Sequence, residues 1–132
     1  MSQRIDTLKA VFEAFNRRDF DDALRYADPH VELHPALTEL DVRSSYVGRT
    51  EFKQFFETIT DAWETYVVQL EEAIEAADDR VVVLERWHAR GRQGIEFDFQ
   101  LTDVYTFRDG LITRVDGFRE RSEALEAVGL PE

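Results

Sequence analysis

The stretch Ile95 to Phe107, IEFDFQLTDVYTF, constrains the chain more than any other. Its odd positions are Ile95, Phe97, Phe99, Leu101, Asp103, Tyr105 and Phe107; its even positions are Glu96, Asp98, Gln100, Thr102, Val104 and Thr106. Successive side chains of a strand point to opposite faces, so alternation sustained over thirteen residues predicts a long β-strand with one apolar face. That face carries a single acid, Asp103. A carboxyl in an apolar wall loses hydration when it ionises, which raises its pKa toward the range useful for proton transfer. Asp103 is therefore a candidate acid/base group, weighed against a core Asp satisfied by an Arg or by backbone donors.

The chain around this strand divides into helices first and strands last. Ile5, Leu8, Val11, Phe12 and Phe15 recur at three- and four-residue spacing and predict a first helix of about fourteen residues, closed by Asn16-Arg17-Arg18. Asp19 is placed to cap a short second helix, Phe20 to Ala27. Val31 to His34 alternates like a brief strand, which Pro35 ends or confines to a sheet edge. Ala36 to Val47, with Thr38, Asp41 and Tyr46, shows no period and reads as a loop long enough to cover a site. Thr50 is the expected cap of a third helix bearing Phe52, Phe55, Phe56, Ile59 and Trp63, with Trp63 at a pocket rim. From Tyr66 onward four strands are expected, 66–77, 80–91, 95–107 and 111–120, joined by hairpins at Asp78-Asp79, Arg92-Gln93 and Asp109-Gly110. Ser122 to Val128 reads as a short closing helix. The class is α+β, with the N-terminal helices packed on a strongly curved antiparallel sheet.

If Arg92 and Gln93 form a two-residue turn, His88 pairs with Phe97, Arg86 with Phe99 and Val82 with Asp103. Directly opposed residues share a face, so His88 and Arg86 are expected beside Asp103, with Glu85 and Trp87 on the other side. A slip of one residue reverses this assignment. The same pairing gives an outer face of Thr102, Val104, Thr106, Val81, Val83 and Trp87, too apolar for water alone, and predicts a homodimer through the sheet.

With 132 residues the chain is expected to form one domain, 1–132, able to bury about two thirds of its unfolded surface. Cysteine is absent, which removes thiolate chemistry and disulfides. Three His without HExxH spacing argue against a metal, and glycine-rich phosphate loops and G-x-S-x-G elbows are missing, so no cofactor is expected. A net charge of −12 makes nucleic acid and anionic membranes poor partners. MSQRIDTLKAVF lacks the apolar run of a signal peptide, so a cytoplasmic protein is expected. What remains is an apolar pocket with one or two proton-transfer groups.

The order of parts, a short strand carrying VELHP, a loop to YVGRTEFKQFF, and a meander ending TDVYTFRDGLITRVDGFRERSEALEAVGL, resembles the SnoaL-like polyketide-cyclase family of the nuclear transport factor two-like superfamily. The superfamily also holds steroid isomerases and epoxide hydrolases. The resemblance covers nearly the whole chain and implies a conical α+β fold with an interior pocket. It implies an Asp acid/base at Asp103, with a His and a polar residue at His88 and Arg86. Against the steroid isomerases, an Asp base falls at His34, the oxyanion-hole acid matches Asp103, and the helix tyrosines fall at Ala10 and Phe56. The epoxide hydrolase pattern is not evident, because Asp116 has the parity opposite to Arg119. Together these readings give a cyclase- or isomerase-type site for an apolar cyclic or aromatic substrate. In it Asp103 moves the proton, His88 or His34 assists, and Arg86 or Arg119 stabilises enolate charge. Tyr46, Phe56, Trp63, Phe97 and Phe99 supply apolar contacts. The alternative is a non-catalytic ligand-binding or dimer-forming module.

The acidic balance has its own test. Adaptation to high salt predicts a melting temperature that keeps rising in potassium chloride well past ~0.15 M, where screening is already short-ranged. A rise that stops at that concentration assigns the charge to coding bias instead.

Overall fold

A computed structural model of the chain describes residues 2–37 and 42–131. In chain order its elements are α1 (Gln3–Asn16), α2 (Phe20–Leu24), β1 (Ala27–His34), β2 (Tyr46–Val47), α3 (Gly48–Ala62), β3 (Thr65–Ala76), β4 (Arg80–Arg90), β5 (Glu96–Arg108), β6 (Leu111–Phe118) and α4 (Arg121–Ala127). The strands form one sheet in the order β2-β1-β6-β5-β4-β3, and the alternating stretch becomes β5, flanked by β6 and β4. The last four strands make the expected meander. The first departs from expectation: β1 runs parallel to β6, with His34 opposite Asp116, so the sheet is mixed rather than wholly antiparallel. β1 also begins at Ala27, which shortens α2. Pro29 lies where the β1–β6 register shifts, the kind of place where a residue without an N–H is tolerated.

Local chemistry accounts for the helices. Ser2 accepts a hydrogen bond from the Ile5 N–H at the start of α1, and Asp19 accepts from Asp22 at the start of α2. The third helix starts earlier than Thr50. Val47 is its N-cap residue, and the Val47 N–H donates to the Glu51 carboxylate at 2.9 Å. The segment between β1 and α3 contains Tyr46 and Val47, which pair with Leu33 and Glu32 as β2; the expected positions Thr38 and Asp41 lie outside the described residues.

Three of the helices and the inner sheet face enclose the main core. Leu8, Phe12 and Phe15 of α1, Leu24 of α2 and Phe52, Phe56 and Ile59 of α3 pack against Val81, Val83, Trp87, Tyr105 and Phe107. Register shifts between Leu70 and Glu72 and between Thr106 and Phe107 insert residues into the ladders, and such bulges bend a sheet.

The β4–β5 pairing differs from expectation by one residue. Arg90 faces Glu96, His88 faces Asp98, Trp87 faces Phe99 and Val83 faces Asp103. The cause is the turn. Gly91 N–H donates to the Ile95 carbonyl, Gly94 N–H donates to the Gly91 carbonyl, and Gly94 sits at φ +84. That is a three-residue loop with a left-handed residue last, a conformation glycine adopts without a Cβ penalty. The odd loop residue reverses the facing of β4, so Val81, Val83, Glu85 and Trp87 point inward and Arg86 and His88 outward.

On the outer face of β4 and β5 the buried apolar residues are therefore Val82, Leu84 and Val104. They are covered by Ala124, Leu125 and Val128 from α4 and its C-cap, in a second, smaller core. The outer sheet beyond α4 is polar around an exposed Val67.

Two contacts tie neighbouring segments to the sheet. At the β3 edge, the Asn16 amide donates to the Val68 carbonyl at 2.8 Å and accepts from the Val68 N–H at 3.0 Å. On β6, Gly117 lies against the segment after β1, and a Cβ there would collide with the Ala36 nitrogen. Pro35 to Leu37 can cross the inner face only because that Cβ is missing. Gly117→Ala should cost about 1 to 3 kcal/mol, the usual range for overpacking, measured by denaturant unfolding. An unchanged midpoint would show that the segment yields freely.

Candidate functional site

Between the helices and the inner sheet face lies a cavity that is open on one side. Its wall is apolar and aromatic almost throughout. Phe12, Phe15, Phe56, Trp63 and Phe99 face it, and Pro35, Ala36 and Leu37 close one side. Three groups on the sheet break the pattern: Glu85 on β4, and Asp103 and Tyr105 on β5. Each follows from strand parity. Asp103 and Tyr105 share the odd face of β5, and the turn at Gly94 brings the odd residues of β4 to the same side.

These groups are held in place. Glu85 is only 3% exposed, and its Oε1 accepts the Trp87 Nε1–H at 2.9 Å. The Trp87 indole is itself clamped, stacked at 7° on Phe99 and at 27° on Tyr66. Beyond Tyr66, the Arg18 guanidinium sits 3.6 Å from the ring centroid, and the Tyr66 hydroxyl bonds Thr60. The two carboxyls are hydrogen-bonded to each other. Such a bond needs one proton between them.

Burial sets where that proton resides. Desolvation, and then the nearby Asp103 charge and hydrogen bond, push Glu85 well above the ordinary carboxylate range, with the Trp87 N–H opposing. Asp103 is pushed up to about 6, first by desolvation, against the hydrogen bond from Glu85, with the Asp116 charge on the other sheet face adding to the rise. At neutral pH the pair is therefore one carboxylic acid, Glu85, donating to one carboxylate, Asp103. Desolvation and both carboxyls also raise Tyr105 far above its usual value, so it stays a phenol. The Tyr105 hydroxyl lines the cavity with no hydrogen-bond partner among the described residues. One base and two O–H donors thus face an apolar space.

Of the residues singled out in the sequence, Asp103, Phe56, Trp63 and Phe99 line this cavity together. The others stand elsewhere. His88 and Arg86 are on the outer face, where both bind Asp98 and Arg86 also pairs with Glu71. His34 points away from Leu33, which lines the cavity, and its Nε2 is buried without a partner among the described residues. Arg119 follows β6 and is exposed. Phe97 continues the inner row but is 44% exposed, with its ring 5.2 Å from Trp63. Tyr46 packs on Phe55, and its hydroxyl accepts from the Arg43 N–H. Glu85 and Tyr105 carry the polar wall and were not singled out. A signal existed: Arg86, His88 and Arg90 alternate with Trp87 and Ala89, and the apolar set of that pattern contains Glu85. Among the described residues, no three His, Asp or Glu side chains converge to hold a metal ion.

The pair makes a signed prediction. A carboxyl whose pKa is raised by folding stabilises the protein below its unfolded value and loses that contribution as pH climbs through the folded value. Glu85→Gln/Asp103→Asn removes both titrations. Its stability relative to the parent should rise as pH goes from about 4 to 7, by up to about 3 kcal/mol for Asp103 at 1.36 kcal/mol per unit. Denaturant unfolding at a series of pH values reads this; a flat difference would exclude a buried pair.

Comparison with known proteins agrees with this architecture. TerC, co-crystallized with polyporic acid, superposes with a TM-score of 0.81 at 24% identity over 96% of this chain and 98% of its own. A putative polyketide cyclase from Xanthomonas campestris pv. campestris gives 0.71 at 24% identity, covering 96% and 97%. A Mycobacterium tuberculosis protein in complex with estradiol-17β-hemisuccinate gives 0.75 at 17% identity, covering 92% and 97%. No curated protein matches in sequence. The structural likenesses assign the cone-shaped α+β fold of nuclear transport factor two-like and ketosteroid isomerase-like proteins. The SnoaL-like domain model matches residues 8–115, from α1 to the middle of β6, and the chain belongs to that family.

Proposed function

We propose that the cavity binds an apolar ring compound bearing a carbonyl group and that the Glu85–Asp103 pair moves a proton on it. The observation that carries this reading is the pair itself. A buried carboxyl, Glu85, and a half-buried one, Asp103, share one proton at the wall of an apolar cavity, beside a phenol that no described residue bonds. Residues in such surroundings are matched to proton transfer near neutral pH.

Asp103, as carboxylate, takes the proton from the carbon next to the carbonyl. Electron density moves to the carbonyl oxygen, which becomes an enolate stabilised by hydrogen bonds from the Tyr105 and Glu85 O–H groups. Once Asp103 is protonated it no longer needs the Glu85 proton as a partner, so Glu85 is free to turn its O–H to the developing anion. Return of the Asp103 proton to carbon, at the same or another position, completes an exchange, isomerisation or ring closure. Trp87 keeps Glu85 aimed through its N–H, and the apolar wall excludes competing water. TerC and the mycobacterial protein were crystallised with polyporic acid and an estradiol ester respectively, and those ring-shaped ligands support a ring-shaped one here.

A panel of cyclic ketones in deuterated water, followed by NMR, tests the reading. The protein should accelerate hydrogen exchange next to the carbonyl, and Asp103→Asn should lower that rate on the order of 100-fold or more, the scale of general base catalysis. Glu85→Gln, which keeps an acceptor for Trp87 and a donor for Asp103, should lower it less. His88→Ala should leave it unchanged. Ketones that bind without any exchange would make the chain a binding module, and exchange surviving in Asp103→Asn would remove the mechanism.

A further inference from the structure

The charge in the cavity is uncompensated. Asp103 and Glu85 are the charged side-chain types among the described residues that line it; no Lys, Arg or His does so. The cations closest along the chain are engaged elsewhere: Arg86 with Glu71 and Asp98 on the outer face, and Arg114 with Asp116 and Glu32. With Glu85 holding the shared proton, the cavity wall carries one negative charge at Asp103. Among the described residues, that charge is relieved by the hydrogen bond from Glu85. An apolar site is costly surroundings for a lone ion.

The second observation is Tyr105. It is 8% exposed, its hydroxyl faces the cavity, and no described residue bonds it. The phenol oxygen is an acceptor two positions along the strand from the Asp103 carboxylate, on the same face. Aromatic side chains, among them Phe12, Phe15 and Phe99, line the same cavity, and ring faces attract cations through their quadrupoles. A carboxylate, a phenol oxygen and aromatic faces suit an ammonium group on an apolar body.

We propose that the cavity is a binding site for lipophilic amines, which enter as monocations with the ammonium on Asp103 and Tyr105 and the hydrocarbon against the aromatic wall. Bound amines occupy the base and shut off proton transfer, whereas carboxylates of the same shape are refused. The inference rests on the cavity being a ligand site, and not on turnover.

Three naphthalene probes of matched shape, bearing an aminomethyl, a hydroxymethyl or a carboxylate group, separate the possibilities by isothermal titration calorimetry at neutral pH. About 0.5 M potassium chloride suppresses general attraction of cations to an acidic protein. The amine should bind about 10-fold more tightly than the alcohol and on the order of 100-fold more tightly than the carboxylate, since like charges brought together repel. Asp103→Asn should erase the amine's advantage and leave the alcohol's affinity in place. Glu85→Gln, which retains the Asp103 charge, should keep the advantage. Alcohol binding with no preference for the amine would overturn the inference and leave the cavity a ligand site. An amine preference that survives Asp103→Asn would overturn it as surface attraction. Failure of all three probes to bind would overturn both the inference and the cavity's role as a ligand site.

Discussion

The pairing of Trp87 with Phe99, and of Glu85 with Leu101, decides what the cavity contains, because side chains alternate and one step along either strand exchanges the two faces. It is fixed by an odd loop residue, Gly94, in a left-handed conformation. An even loop would put Arg86 and His88 inside and expel Glu85 and Trp87. The cavity would then hold cations rather than a second acid. Burial of Trp87 between Phe99 and Tyr66 reinforces the same register, since no other arrangement stacks these rings on the core side while leaving Arg86 among Glu71 and Asp98 in water.

Given that register, the chemistry of the wall follows from scarcity of polar partners. Glu85 has a Trp N–H and another carboxyl, and Asp103 has Glu85. Among the described residues, neither has a cation. Buried acids without cations hold their protons, and two acids in contact hold one of them tightly and the other weakly. Acid and base roles thus separate between chemically similar side chains. Glu85 is fixed by the indole, while Asp103 is half-buried and faces the space a ligand would fill.

Strong periodicity made much of the molecule legible. The apolar stripe of α1, the alternation of β5 and the Asp109-Gly110 turn each specify one local structure, and each appears where expected. β1 was harder to read. Its parallel partner is about eighty residues away, and nothing local announces the direction in which such strands pair. The Gly91-Arg92-Gln93-Gly94 turn was ambiguous for a different reason: two glycines allow the tip to be two residues or three. The run Val81-Val82-Val83-Leu84 could not break the tie, because both sheet faces are covered there, inward by the main core and outward by α4. Asp103 could be found from its own strand alone, whereas Glu85 depended on the turn.

Asn16 has a consequence for how much this protein can change. β3 ends the sheet, and an exposed strand edge recruits other chains. The Asn16 amide takes the place of a neighbouring peptide group at Val68, and Arg18 donates to the Tyr66 carbonyl one pleat away. A helix terminus thereby seals that part of the edge with side chains that do not enter the cavity. Cavity residues can then be exchanged without unsealing it. Divergence in what is bound is separated from the risk of aggregation, so the interior is free to drift toward new ligands while the outline of the fold stays still.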